Sequence, residues 1–222
     1  MTSHAAARPS RRTSLLARLS MFAALVLMPI VAFSAELVAG EDYVEIPGGA
    51  PFSTGAGKVE VADVFGYTCP HCANFEPALS AWRKRLPRDV EVVSVPAPFG
   101  GYWMPYARAY YAAQSLGLAE RTHSAVFRAL HQDRSLPISG ATPAEISTFY
   151  AGHGADPEAF ASAMASPEVE EKLQEARDFL RRSGVEGTPA LVVAGKYRVL
   201  GNSASEILEN ARALVERERA RK

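Results

Sequence analysis

The sequence predicts an α/β domain that carries an α-helical insertion. β-branched segments bounded by turn residues, which are typical of strands, occur at 58–67, 90–99 and 189–201. The stretch between the second and third of these, residues 102–183, has helical periodicity and contains no strand candidate. With 222 residues, 48% of them hydrophobic, the chain is long enough for one domain with a sizeable core.

The first 35 residues predict an export signal. Four arginines precede the apolar stretch 19–33, and no acidic residue occurs before Glu36. A basic segment, an apolar segment and small residues such as Ser34 and Ala35 are typical of a secretory leader. A retained membrane anchor is the alternative, but the apolar run is short for a full span and a proline interrupts it. We therefore expect a periplasmic protein, in an oxidising compartment where disulfides persist.

The charge balance argues against one class of partner. The chain has 24 basic and 24 acidic side chains, and removal of the four leader arginines would change its net charge from zero to −4. Because neither form has a basic field, we expect no nucleic-acid partner.

Two strands are predicted before the first helix. Residues 42–46 form a short candidate, and after a loop rich in glycine and proline the β-branched stretch 58–67 forms a longer one. Alternation along the longer strand places Val59, Val61 and Asp63 on one face.

The first helix is predicted to begin at the two cysteines. Cys69 occupies the N-cap position and Pro70 the N1 position, where a missing N–H does no harm. We expect the helix to run to about Arg85, with a kink at Pro77. The third strand, 90–99, follows it.

Capping signals mark the helices of the insertion. Three of them start at a capping residue followed by proline, at Thr142-Pro143 with Glu145, Asp156-Pro157 and Ser166-Pro167. The last of these helices has an apolar stripe that predicts core packing, at Val169, Leu173, Ala176 and Leu180.

The chain is predicted to close with two strands and a helix. The strands meet at a tight turn, Gly195-Lys196, and Ser203 caps the helix, whose charged tail from Glu216 is expected to fray. We therefore assign 36–101 and 184–222 to the α/β domain and 102–183 to the insertion.

The cysteine pair predicts redox chemistry. Two cysteines are too few for a disulfide scaffold. At a helix start, the unpaired N–H groups and the macrodipole favour a thiolate at Cys69 and lower its pKa. Cys72, one turn into the helix, should be less exposed and able to attack a mixed disulfide formed at Cys69. Because His71 can add positive charge or a hydrogen bond, the Pro70-His71 pair should favour the oxidising direction.

The segments FGYTCPHCANFE and GVEGTPALVVAGKY together resemble the DsbA family of bacterial thiol–disulfide oxidoreductases. The resemblance runs from about residue 41 to 216 and implies a thioredoxin-like mixed β-sheet flanked by helices. It also implies that Cys69 is the nucleophile, that Cys72 is the resolving thiol and that Pro70 and His71 form the tuning dipeptide.

The resemblance also implies roles for residues outside the cysteine motif. Pro189 matches a cis-proline that faces the cysteines, with Thr188 beside the sulfur and its backbone free to pair with an extended substrate. Glu76 matches an acidic residue near the active-site helix. Asp63 matches a buried acid whose raised pKa would let it exchange a proton during the reaction. Family members often place a lysine opposite this acid, whereas this chain offers Ser94.

Two other interpretations of the cysteines remain open. A structural disulfide is disfavoured, because so short a ring constrains the unfolded chain little. A zinc site would need a fourth ligand besides Cys69, His71 and Cys72, and the candidates have no ligand spacing: His123, His131 and His153. We expect these histidines to be solvated or satisfied by ordinary contacts. The aromatic side chains of Tyr102, Trp103 and Tyr106 are expected to be core, or else to line an apolar surface beside Cys69.

The resulting prediction is an exported, monomeric protein disulfide oxidoreductase that donates its disulfide to reduced, unfolded exported proteins. The resemblance implies reoxidation by a membrane quinone oxidoreductase of the DsbB type, and no bound cofactor or metal is expected. A reductase or isomerase is the first alternative. A metal-binding or chaperone-like module is the second.

Overall fold

A computed structural model describes residues 1–2, 36–53, 55 and 57–221. The predicted leader therefore lies outside the described residues apart from its first two positions, and the description below concerns the unit that begins at Glu36. Within the described ranges, no helix is long and apolar enough to cross a membrane.

The described strands form one mixed sheet, which confirms the predicted sheet type. They are β1 (Tyr43–Glu45), β2 (Val59–Phe65), β3 (Val90–Pro96), β4 (Ala190–Val193) and β5 (Tyr197–Val199). Their spatial order is β1-β5-β4-β2-β3, with β2 and β3 parallel and every other pair antiparallel. Because β2 is paired on both sides and covered on both faces, all seven of its residues are buried.

The described helices follow the predicted order. They are α1 (Pro70–Arg83), α2 (Met104–Ser115), α3 (Ala119–His131), α4 (Pro143–Ala151), α5 (Pro157–Met164), α6 (Pro167–Ser183) and α7 (Ala204–Arg219), and a 3₁₀ turn, Gly101–Trp103, precedes α2. The capping box at Thr142 and Glu145 is present, and the stripe of α6 is buried as predicted. Helix α1 passes through Pro77 and ends two residues before the predicted boundary.

Strand β2 lies between two hydrophobic cores. Val59 and Val61 belong to a core shared with α1 and α7, whereas Ala62 and Val64 belong to a core shared with α2, α3 and α6. This alternation follows from the two-residue period of a strand, which sends successive side chains to opposite faces. The cysteines follow the carboxyl end of β2 in the chain. They belong to the hydrophobic core that the sheet shares with helices of residues 102–183.

The prediction that the charged C-terminal tail frays is wrong. Helix α7 continues to Arg219, and the Glu218 side chain is only 7% exposed. Its carboxylate accepts hydrogen bonds from Lys196, Tyr197 and Arg221. These partners come from β5, its turn and the end of the chain, so only the tertiary structure makes them available to the last helical turn.

Candidate active site

Cys69 lies at the point where the chain turns from β2 into α1. Its backbone is extended (φ −84°, ψ 117°), and Pro70 follows at the first helical position, which confirms the predicted cap. The backbone N–H of Cys69 donates to the Gly66 carbonyl at 3.0 Å, and the Cys69 carbonyl accepts from Ala73 N–H at 3.1 Å. Cys69 is 6% exposed and Cys72 is 2% exposed, both as free thiols, so Cys72 is the less exposed as predicted.

The pKa values of the two thiols are shifted in opposite directions. A hydrogen bond from the Cys72 thiol, together with the backbone N–H groups of Cys72 and His71, lowers the pKa of Cys69 to about 5 against the opposing effect of burial. The same hydrogen bond, reinforced by burial, raises the pKa of Cys72. At neutral pH the pair therefore consists of a thiolate at Cys69 and a protonated thiol at Cys72.

The Thr188-Pro189 segment lies directly against the nucleophilic sulfur. The peptide bond between these residues is cis, as the resemblance implied. Cys69 Sγ lies 3.6 Å from the Thr188 carbonyl oxygen, to which it donates a hydrogen bond in its protonated form. The Thr188 hydroxyl is buried and has no hydrogen-bond partner among the described residues, which leaves it available to a thiolate.

The dipeptide between the cysteines is exposed. Pro70 and His71 both face solvent, and His71 lowers the pKa of Cys69 through its backbone N–H. The His71 side chain lines a groove with Pro189, Asn202 and Ile207. The imidazole is therefore placed to meet an incoming chain at the mouth of the site.

Asp63 is a buried acid beneath the cysteines. It is 2% exposed, and its Oδ1 atom has no hydrogen-bond partner among the described residues. Burial raises its pKa to about 6, although the charges of His123 and Arg83 act in the opposite direction. Asp63 and Cys72 line the same narrow gap, in which no water molecule fits.

The residue opposite Asp63 is neutral, as the sequence indicated. Asp63 on β2 pairs in register with Ser94 on β3. The Ser94 hydroxyl accepts a hydrogen bond from Arg83 Nη2 at 3.1 Å, so a guanidinium from the last turn of α1 approaches the buried acid from the side. This cation could not be predicted from the sequence, because Arg83 and Asp63 lie on different elements.

Glu76 is held close to the site by α3. Its Oε2 atom is 3.5 Å from His123 Nε2, and its Oε1 atom accepts from the Ser124 hydroxyl at 3.3 Å. His123 Nδ1 lies 2.9 Å from the Tyr67 hydroxyl, which donates to it when Nε2 carries the proton. A second histidine of α3, His131, donates from Nε2 to the Tyr67 carbonyl at 2.7 Å.

Both α3 histidines lie close to the cysteine motif. His131 is satisfied by an ordinary hydrogen bond, as expected, whereas His123 Nε2 is buried and has no hydrogen-bond partner among the described residues. Both bind Tyr67, two residues before Cys69. The sequence contained one signal for this position. His123 and His131 lie four residues before and four residues after Phe127, on the otherwise apolar face of an amphipathic helix.

The aromatic residues after β3 separate into core and surface. Tyr106 is buried as expected, whereas Tyr102 is 48% exposed. The Trp103 ring packs on the backbone of Gly66, where a Cβ atom would overlap ring atom Cζ3. The glycine three residues before Cys69 therefore permits an aromatic contact that borders the site.

Among the described residues, no group of histidine, cysteine, aspartate and glutamate side chains could hold a metal ion. His123 Nδ1 and His131 Nε2 both contact Tyr67. The cysteine pair provides thiol chemistry, with one ionised sulfur, one protonated sulfur and a buried acid nearby.

Comparison with known proteins agrees with this chemistry. The family described as DSBA-like thioredoxin domain matches residues 104–213, a range that follows the cysteine pair in the sequence. The thiol:disulfide interchange protein DsbA of Azotobacter vinelandii is 38% identical over 189 residues, which cover 84% of this chain and 86% of that protein. The protein of the same name from Pseudomonas aeruginosa is 38% identical over 204 residues, which cover 90% of this chain and 95% of that protein.

Solved structures show the same fold. The oxidoreductase DsbA from Xylella fastidiosa matches with a TM-score of 0.81 and 49% sequence identity, over 83% of this chain and 98% of that chain. The Pseudomonas aeruginosa DsbA structure matches with a TM-score of 0.76 and 37% identity, over 83% of this chain and 95% of that chain.

Proposed function

The chain belongs to the DsbA-like thioredoxin family and is a thiol:disulfide oxidoreductase, and we propose that it acts as an oxidase through Cys69 and Cys72. The observation that carries this direction is the lowered pKa of Cys69, about 5, beside the raised pKa of Cys72. A site that stabilises its thiolate stabilises the reduced form of the enzyme. The corresponding disulfide is therefore a strong oxidant.

The reaction begins from the Cys69–Cys72 disulfide. A substrate thiolate attacks Cys69 Sγ, the bond between the two cysteines breaks, and a mixed disulfide forms while Cys72 leaves as a thiolate. Because Cys72 is buried, its sulfur takes up a proton, which Asp63 is placed to supply from the gap that the two residues share. A second substrate thiolate then attacks the substrate sulfur of the mixed disulfide. This step releases Cys69 as a stabilised thiolate, so the substrate gains a disulfide and the enzyme becomes a dithiol.

The neighbouring residues orient this exchange. The Thr188 carbonyl and the Pro189 ring form one wall of the site, against which an extended substrate chain can pair. Pro70 has no backbone N–H, so the first helical position carries no unpaired donor. His71 lies at the exposed mouth of the site. Glu76 contributes a carboxylate to the gap that Asp63 and Cys72 share.

The biological setting is part of the same proposal. The clients are reduced, unfolded exported proteins, and a DsbB-like membrane quinone oxidoreductase reoxidises the dithiol. The protein works in the periplasm as a monomer, after export directed by residues 1–35, and needs no bound cofactor. We assign 36–101 and 184–222 to the thioredoxin-like domain and 102–183 to the helical insertion.

A transfer assay with purified protein tests the function. Oxidised protein is mixed with a reduced test protein, and disulfides are counted over time for wild type, Cys69→Ser and His153→Gln. Cys69→Ser should abolish transfer, because it removes the attacked sulfur, whereas His153→Gln should behave as wild type. Full activity of Cys69→Ser would instead favour a binding or chaperone-like role.

Equilibration with glutathione tests the direction. The Cys69–Cys72 pair should be reduced far more readily than the disulfide of glutathione, because the thiolate stabilises the product. A potential near that of cytosolic dithiols would contradict the oxidase and favour a reductase or isomerase.

A further inference from the structure

An arginine without a partner lies on β5, close to the cis-proline segment. The Arg198 side chain makes no hydrogen bond or ion pair to another described residue, and its Nε atom is buried without an acceptor. Its neighbours Tyr197 and Val199 belong to the core shared with α1 and α7. Because a strand sends successive side chains to opposite faces, the half-buried Arg198 lies on the other face of the sheet, beside Val192.

Arg198 lines a cavity that borders the candidate active site. The cavity has a volume of about 340 Å³, and its walls also include Thr188, Pro189 and Ile207. The Thr188 carbonyl oxygen is 3.6 Å from Cys69 Sγ, so one wall of the cavity is the segment that contacts the nucleophile. Pro189 and Ile207 also line the groove at the mouth of the site. A chain that runs along the cis-proline segment therefore meets the cavity that holds the guanidinium.

The walls of the cavity do not satisfy the guanidinium. Among the described residues that line it, the other charged one is Glu186, which is exposed and forms no ion pair with Arg198. The remaining wall residues are apolar or small, apart from Thr188. A buried donor without an acceptor costs free energy, and the arginine fork matches a carboxylate with two parallel hydrogen bonds. A carboxylate from a bound chain would supply the missing acceptor.

From these observations, we propose that Arg198 is a specificity-determining residue that binds a carboxylate of the client chain. The favoured client has an aspartate or glutamate close to the cysteine that attacks Cys69. In an extended chain, residues two apart point to the same side and lie roughly 7 Å from each other. An acid two residues from the client cysteine therefore faces the enzyme together with that cysteine, and it can enter the cavity beside Thr188.

The inference rests on the oxidase function proposed above and adds a preference among its clients. The guanidinium contacts the client away from the reacting sulfurs, so the exchange steps themselves are unchanged. What changes is the rate at which a client is captured by the disulfide. Because the cavity is open to solvent, we expect an effect of about fivefold, as for an accessible ion pair.

The experiment measures how fast purified, oxidised protein reacts with single-cysteine peptides that differ in one residue. One set varies the position two residues before the cysteine and another the position two residues after it, each with aspartate, asparagine or lysine. Each rate is divided by the rate of the same peptide with glutathione disulfide, so that the influence of the added charge on the peptide's own thiol cancels. In at least one set, wild type should react about fivefold faster with the aspartate peptide than with the asparagine peptide.

Variants assign this preference to one side chain. Arg198→Gln should lower the ratio of aspartate to asparagine rates to about one, because glutamine keeps a polar side chain but has no charge. Arg198→Glu should favour the lysine peptide instead. The matched control Arg212→Gln removes the same charge from an exposed position on α7 outside the cavity, and it should keep the wild-type ratio. A purely structural role of Arg198 would slow all peptides equally and leave the ratio unchanged.

Wild type alone decides the question if the Arg198 variants do not fold. Its ratio should fall towards one as salt is added, because ions screen an accessible charge pair. A ratio near one at low salt in both sets, or the wild-type ratio in Arg198→Gln, would overturn the inference. In either case, reaction of the asparagine peptide with wild type but not with Cys69→Ser would leave the proposed function intact, whereas failure of every peptide to react would refute that function as well.

Discussion

The ionisation of Cys69 should make the stability of the reduced protein depend on pH. The pKa of Cys69 is lowered from 9.0 to about 5, so its thiolate stabilises the folded state fully above about pH 9, and this contribution is lost as the pH falls through about 5. Each pH unit between these limits changes the free energy of unfolding by about 1.4 kcal/mol. Between about pH 5 and about pH 8 the thiolate should therefore contribute ~3 kcal/mol, allowing for partial solvent access to the sulfur.

Cys69→Ser isolates this contribution. Urea unfolding of wild type and variant under reducing conditions gives the free energy of unfolding at each pH, and the difference between the two proteins cancels the other titrating groups. That difference should grow by ~3 kcal/mol from about pH 5 to about pH 8. Cys72 contributes little over this range, since its pKa is raised above an already high value. Parallel pH profiles for the two proteins would refute the argument that the Cys72 thiol and the helix start stabilise a thiolate at Cys69.

Three further predictions concern the stability of the fold, at Gly66, Asp63 and Glu218. Gly66→Ala should destabilise the protein by about 1–3 kcal/mol in thermal unfolding, because its Cβ would overlap the Trp103 ring, whereas Gly55→Ala, with open space around it, should be neutral. A loss of equal size in both variants would contradict this. The pKa of Asp63 is raised from 3.8 to about 6, so the stability contributed by its protonated form is present below about pH 4 and is lost as the pH rises through about 6. Asp63→Asn lacks this loss and should gain up to about 3 kcal/mol relative to wild type as the pH rises from about 4 to about 7. A flat difference in urea unfolding would count against it. The buried carboxylate of Glu218 accepts three hydrogen bonds. Glu218→Gln should therefore lower the free energy of unfolding by about 1–3 kcal/mol and speed amide hydrogen exchange in the last turn of α7. Unchanged exchange there would show that the turn is stable without these bonds.

Much of the fold followed from local sequence signals. The capping residues Thr142, Asp156, Ser166 and Ser203 all lie at the N-caps predicted for them, because a cap is set by a few adjacent residues. The N-cap position of Cys69 and the cis bond before Pro189 were predicted as well, the first from local pattern and the second from resemblance. Boundaries were less certain, since α1 ends before the predicted Arg85.

The polar network beneath the cysteines was only partly predictable. Asp63 and Glu76 were identified by resemblance, whereas His123, His131 and Arg83 were not connected to the site. Periodicity placed the histidines on α3 but could not show which element that helix packs against. The charged tail around Glu218 was misjudged for the same reason, because its partners come from β5 and the turn before it.

The sequence by itself determined the chemistry of this protein, because the Cys69 thiolate is stabilised by groups close to it in the chain, the Cys72 thiol and the backbone N–H groups at the start of α1. The tertiary structure decided which charged and titratable groups surround the thiols, since Asp63, Glu76, Arg83 and His123 come together only when α1 and α3 pack beside the end of β2. Electrostatic interactions depend on distance through space and on burial, and neither quantity is set by separation along the chain.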